Sequence, residues 1–220
     1  MNLLTMKNVT YKDKDKNNII IDNFSLNVNE KDYISIVGPS GSGKSTILKL
    51  FSHLISQTSG TIEFKGKNYL DYSPYELRRQ ITYCFQNPVL FGDTVMDNLK
   101  FPYTTRKKTL DKDRIKYLLK IFDLPDSILD KDIHKLSGGE KQRIALIRGI
   151  LFKPEVLLLD EVTSALDEEN TKIVESVINK LNSEGMTILW VTHNIEQSKK
   201  YANKLLSVEG GKLKNLEVIK

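Results

Sequence analysis

Gly38-Pro39-Ser40-Gly41-Ser42-Gly43-Lys44-Ser45-Thr46 is the run whose residue types and spacing most plainly prepare for chemistry. It fits G-x-x-x-x-G-K-[ST], a loop whose backbone N–H groups converge on phosphate oxygens. Glycine permits that approach because no Cβ blocks the anion or the required φ angles. Lys44 brings a point charge to the β- and γ-phosphates of a nucleotide, and the Ser45 hydroxyl suits Mg²⁺. A glycine-rich turn that binds nothing would not need the Lys-Ser pair.

A second chemical feature is the acidic pair at the end of Val156-Leu157-Leu158-Leu159-Asp160-Glu161. Alone, such a pair is commonly the solvated close of a strand. Beside a phosphate loop, Asp160 is placed to reach the Mg²⁺ shell and Glu161 to face the attacking water. A third is Leu136-Ser137-Gly138-Gly139-Glu140-Lys141-Gln142-Arg143, which reads as a helix start with Ser137 as its N-cap. Two glycines in a first turn cost stability, so they imply close backbone approach to something. An anion suits that position, since the N–H groups and the helix dipole would face it. The stretch Tyr83-Cys84-Phe85-Gln86-Asn87-Pro88-Val89-Leu90-Phe91 instead sets one amide, Gln86, among apolar residues.

The elements that must position these groups can be read from periodicity. Residues 3–9 and 19–28 alternate apolar and polar around a KDKDKNN turn, the pattern of an opening hairpin. Residues 33–37 form a short β-rich run ahead of the phosphate loop, and Ile47, Leu48, Leu50, Phe51 and Leu54 follow at helical spacing. Further strands are expected at 61–64 and 81–84. Between about 86 and 149 the pattern turns helical, with helices at 94–99, 111–122 and 138–152 and breakers at Pro102 and Pro125. From residue 155 strand and helix alternate again. This order predicts an α/β core with an inserted helical subdomain.

LSGGEKQR at 136–143 is the signature sequence of ATP-binding cassette (ABC) ATPases, and the chain resembles that family over essentially its whole length. The resemblance implies a P-loop NTPase fold with a RecA-like core and an antiparallel β subdomain (1–85 and 150–220), and a helical signature subdomain (86–149). It also implies a head-to-tail dimer in which each ATP lies between one phosphate loop and the partner cassette's signature helix. Gly38, Pro39, Ser40, Gly41, Ser42, Gly43, Lys44, Ser45 and Thr46 would then hold the phosphates. Ser137, Gly139 and Gln142 would form the trans signature surface, and Ser164-Ala165-Leu166-Asp167 would cross the dimer interface. Asp160, Ser45 and Gln86 would serve Mg²⁺. Glu161 would be the catalytic carboxylate, assisted by Lys44, Gln86 and the switch histidine His193. Tyr11 occupies the position from which the family stacks an aromatic on adenine. Asn194 departs from the Asp that often follows the switch histidine.

YCFQNPVLFGDTVMDNLKFP, with the segments around LSGGEKQR and VLLLDEVTSALDEEN, resembles more narrowly the ATP-binding subunits of FetA-type transporters, a group associated with iron export. That resemblance implies an ATPase that drives a separate multispanning permease and lies against the inner face of the membrane. The apolar Pro88-Val89-Leu90-Phe91 would face the permease, with internal packing of Leu90 and Phe91 as the alternative.

Composition narrows the remaining classes. The chain has 220 residues, 40% hydrophobic and 28% charged, as in an ordinary soluble globular protein. A single cysteine, Cys84, excludes an internal disulfide. No apolar run approaches the ~20 residues of a membrane helix, and the first residues lack the pattern of a signal peptide, so a cytoplasmic location is expected. The net charge of +5 is spread over lysines interleaved with acids, so no nucleic-acid partner is expected. The competing function is a soluble ABC ATPase acting on nucleic acid, ribosomes or cofactor assembly, though no long coiled-coil insertion or basic extension is seen. A nucleotide-gated module without hydrolysis is opposed by the presence of both Glu161 and His193.

Overall fold

The computed structural model describes residues 2–13 and 18–219; residues 14–17 of the expected KDKDKNN turn lie outside the described residues. In chain order the first elements are β1 (Asn2–Lys12), β2 (Ile19–Asn29), β3 (Tyr33–Val37), α1 (Lys44–Phe51), β4 (Ser59–Phe64) and β5 (Lys67–Asn68). Then come α2 (Pro74–Gln80), β6 (Ile81–Cys84), α3 (Val95–Thr105), α4 (Lys112–Ile121) and α5 (Gly138–Ile150). The chain closes with β7 (Val156–Asp160), α6 (Glu168–Ser183), β8 (Thr187–Val191), α7 (Ile195–Lys200), β9 (Lys204–Glu209) and β10 (Lys212–Val218). These elements fall into two compact units.

The first unit comprises residues 2–83, 154–161 and 182–219 and contains both sheets. The opening hairpin forms as its alternation requires: β1 pairs antiparallel with β2 on one side and β4 on the other, giving the order β2-β1-β4-β5. The six-stranded sheet runs β10-β9-β3-β8-β7-β6, with β3 parallel to β8 and β9 and β7 parallel to β8. Every residue of β7 and β8 is buried, as parallel strands covered on both faces should be. Against this sheet α1 buries Ile47, Leu48, Leu50 and Phe51 completely. Each such side chain contributes about 1.5–3 kcal/mol gross, so the helix behind the phosphate loop is firmly seated. One helix was not expected from periodicity. Ser73 and Glu76 make a reciprocal capping box at the start of α2, with Pro74 in its first turn. That S-P-Y-E signal was present in the sequence and is a start signature.

The second unit comprises residues 84–153 and 162–181, so it takes in part of α6 as well as the 86–149 stretch assigned to a helical subdomain. Here α5 packs on α3. Thr94 and Asp97 form the capping box that starts α3. Pro102 was expected to break this helix and does not, for α3 continues to Thr105. A proline deletes one i→i−4 bond and crowds the preceding turn, and the helix tolerates this near its end. The Thr104 and Thr105 hydroxyls bond back to the carbonyls of Lys100 and Pro102.

Candidate functional site

In the first unit, β3 delivers the chain into the phosphate loop and α1 carries it away. Gly43 is the N-cap of α1 with φ of 98°, and it makes no side-chain cap bond. That left-handed conformation favours glycine, and a Cβ there would also crowd Ile21 Cδ1 at 2.7 Å. The first-turn N–H groups of α1 are therefore left to the loop's own purpose. Lys44 is buried, and its Nζ donates to the carbonyls of Gly38 (2.9 Å) and Pro39 (2.8 Å). Burial lowers its pKa, opposed by the attraction of Glu161 and Asp160. Ser42 Oγ is buried without a hydrogen-bond partner. A buried orphan hydroxyl in a glycine loop fits an anion that would satisfy it.

The ends of β7 and β8 bring the acids and the histidine to the same place. Asp160 accepts from Ser45 Oγ at 2.7 Å through Oδ1 and from the Tyr83 hydroxyl through Oδ2. A hydroxyl and a carboxylate in contact are the hard oxygen donors that Mg²⁺ prefers. Glu161, the residue after β7, has φ of 51°. A non-glycine residue in the left-handed region costs of order 1–3 kcal/mol and is typical of functional turns. The turn aims the Glu161 side chain at His193, with Oε1 and Nε2 2.8 Å apart. Because a carboxylate oxygen accepts, Nε2 is the protonated nitrogen of this pair. The phosphate loop from Ser40 to Thr46, Glu161 and His193 line one cleft of about 530 Å³, with Asn18–Ile20 and Gly210–Gly211 completing its wall. Tyr11 is not among the lining residues; it packs half-buried against the core on β1. Asn194 accepts from Gln197 N–H at 3.0 Å and caps α7, a task that an amide and a carboxylate perform about equally.

The second unit holds the remaining expected residues. Ser137 caps α5: its hydroxyl oxygen accepts from Glu140 N–H (3.1 Å) and Glu140 accepts from Ser137 N–H (2.7 Å). The Ser137 proton is thereby left to a further acceptor. Gly138 has open space where a Cβ would stand, whereas a Cβ on Gly139 would lie 2.9 Å from Asn170 Cγ. So the close approach implied by the second glycine is made by this chain's own Asn170. That amide is held by both oxygens of Asp167, at 2.9 and 2.8 Å. The start of α6 and the start of α5 therefore interlock around Gly139. Gln142 is 3% exposed and donates to the Phe85 carbonyl at 3.4 Å, so it faces inward. Gln86 donates to Ser164 Oγ at 3.3 Å.

The apolar stretch after Gln86 is held by two residues that sequence reasoning missed. Asn98, fully buried, donates to the carbonyls of Phe91 (2.8 Å) and Thr94 (3.0 Å) and accepts from Phe91 N–H (3.1 Å). Arg148 donates to Asn98 Oδ1 (3.0 Å) and to the Val89 carbonyl (2.8 Å), and its guanidinium lies 5.0 Å from the Phe91 ring centre. Held in this way, Val89 is 64% and Phe91 37% exposed, and Phe91 meets Phe101 edge-on. Leu90 is half-buried.

Known proteins resemble this chain in sequence and in fold. The profile of the family described as "ABC transporter" matches residues 21–164. "Probable iron export ATP-binding protein FetA" of Escherichia coli (strain K12) is 47% identical over 208 residues, covering 94% of this chain and 91% of that protein. A dimeric ATP-binding cassette, MJ0796, in a post-hydrolysis state bound to ADP and Pi, has a TM-score of 0.88 and 28% identity, with 99% of each chain covered. CbiO1 of Clostridium perfringens, part of the ABC transporter complex cbiONQ, has a TM-score of 0.85 and 27% identity over 100% of this chain and 89% of its own. With this family match, this relative and this shared fold, the chain belongs to the ABC transporter family as an ATP-binding cassette ATPase.

Proposed function

We propose that this cassette is the ATP-hydrolysing subunit of a transporter, working as a head-to-tail dimer on a separate multispanning permease at the inner face of the cell membrane. The observation that carries the reading is the single cleft in which the phosphate loop meets the Glu161–His193 pair. Residues 38–46 hold the triphosphate, with Lys44 leaving the Gly38 and Pro39 carbonyls for the β- and γ-phosphates. Glu161 takes a proton from water as the new O–P bond forms and the bond to the ADP oxygen breaks. His193 orients that carboxylate through the 2.8 Å hydrogen bond. Mg²⁺ would be held by Ser45 and Asp160, and when bound it neutralises charge growing on the phosphate oxygens. Gln86 is assigned to the metal and the attacking water, since an amide offers donor and acceptor without adding charge. Tyr11 is assigned to the adenine. Ser137, Gly139, Gln142 and Asp167 are assigned to the partner cassette's nucleotide, with Gln142 acting from its inward position.

The helical subdomain at 86–149 would carry the permease contact, through the exposed Val89, Phe91 and Phe101. Among the described residues no helix is long and apolar enough to cross a membrane. The iron-export relative suggests a metal as cargo, which the permease would select. Glu161→Gln should bind ATP but lose nearly all turnover; unchanged turnover would remove Glu161 from the mechanism. Isolation with native partners should bring down a multispanning protein, and Phe91→Ala should weaken that association while sparing ATPase activity. Co-purification of RNA or ribosomes in place of a membrane protein would overturn the transport reading.

A further inference from the structure

We infer that Tyr83 is a positioning residue for the Asp160 carboxylate. This rests on reading Asp160 as the carboxylate on the metal side of the site. Tyr83 lies on β6 and Asp160 at the end of β7, neighbouring strands of the six-stranded sheet, although 77 positions separate them in sequence. The ring of Tyr83 packs half-buried against the core, which fixes where its hydroxyl can point. That hydroxyl donates to Asp160 Oδ2 while Ser45 donates to Oδ1 at 2.7 Å. A carboxylate bonded through both oxygens cannot rotate about its Cβ–Cγ bond without breaking one of them. Asp160 is only 7% exposed, so water cannot readily replace a lost partner.

The two hydroxyls have different duties. Ser45 belongs to the phosphate loop and responds to whatever that loop binds. Tyr83 belongs to the sheet and keeps its place, so it holds the carboxylate plane as the loop changes. A phenol suits the task because it donates a hydrogen bond without bringing a positive charge to compete with a cation. Tyr83 also ends the first of the three chain segments that make up its unit, immediately before Cys84.

Partners that orient a metal ligand from outside the coordination shell are typically worth 10–100-fold in metal affinity or activity. The test uses the full chain with Tyr83→Phe, which removes one oxygen and keeps the ring. Affinity for a fluorescent ATP analogue is measured with saturating Mg²⁺ and again in EDTA, and the ratio gives the metal-linked gain. The expected result is a gain reduced about tenfold, with the fold retained and EDTA affinity close to wild type. A gain within about twofold of wild type overturns the inference, the expected loss being at least tenfold. Equal loss of affinity with and without the metal, or failure to fold, assigns the hydroxyl a purely structural role and also overturns it. Asp160→Asn runs alongside as a separate arm. If that variant keeps the full metal-linked gain, the reading of Asp160 itself fails. If Asp160→Asn loses the gain and Tyr83→Phe does not, only the role of Tyr83 fails.

Discussion

Replacing Arg148 by alanine should loosen the segment that follows Gln86 without altering the phosphate loop. The guanidinium makes two hydrogen bonds, to Asn98 Oδ1 at 3.0 Å and to the Val89 carbonyl at 2.8 Å, and covers the Phe91 ring. Bonds from a charged donor are worth about 1.5–3 kcal/mol each. The low end applies here, because Asn98 Oδ1 keeps the Phe91 N–H and the Val89 carbonyl can be rehydrated. The cation–π contact adds about 0.5–1 kcal/mol. Together these amount to about 3.5–4 kcal/mol of local stability, or more than about 100-fold in the opening equilibrium at about 1.4 kcal/mol per decade. The assay is amide hydrogen exchange across residues 86–98, where the Phe91 amide, bonded to Asn98 Oδ1, is the direct reporter. Exchange there should accelerate by roughly two orders of magnitude, while amides of β7 and β8 keep their protection. Arg148→Lys should fall between, keeping charge but losing the planar fork. Acceleration of Phe91 exchange by less than about tenfold would refute the ledger, since that corresponds to under 1.4 kcal/mol.

Two further outcomes follow from ionisable groups. Burial pushes the Cys84 thiol up to about 12, against the weaker pull of Arg148, so almost no thiolate exists near neutral pH. Thiol reagents should therefore leave the native chain unmodified at pH 8 and label it stoichiometrically in denaturant; rapid native labelling would show that the site is open. Lys44 has a pKa lowered by burial, with Glu161 and Asp160 pulling the other way. Between that lowered pKa and the ordinary lysine value of 10.5, the unfolded chain holds the proton and the folded one does not. Stability at this site therefore rises with pH through that window, whereas ATP affinity falls as the loop loses its cation. Lys44→Met should bind ATP weakly and lack this alkaline decline. Titration of the wild-type affinity with a midpoint at or above the ordinary lysine value would contradict the shift.

The phosphate loop, the signature helix start and the strand–helix order were all determined by the sequence itself. Each rests on residues close in the chain, where the strand and helix periods and the needs of glycine leave a local mark. α2 was equally legible in its capping box and went unread. Pro102 was misread because local propensity cannot show how much a helix end tolerates. Tertiary structure alone decided what lies beside Asp160. Tyr83 reaches it only because β6 borders β7, and a strand's neighbour depends on topology that no short window records. The same holds for His193 against Glu161, whose turn lies in the left-handed region, and for Asn170 against Gly139. The glycine pair in the signature announced a close approach; only packing could name the residue that makes it. Pattern is encoded by neighbours along the chain and by steric limits on the backbone. Partnership is settled when distant strands and helices choose their order, which is where Tyr83, Asn98 and Arg148 acquire the roles assigned to them.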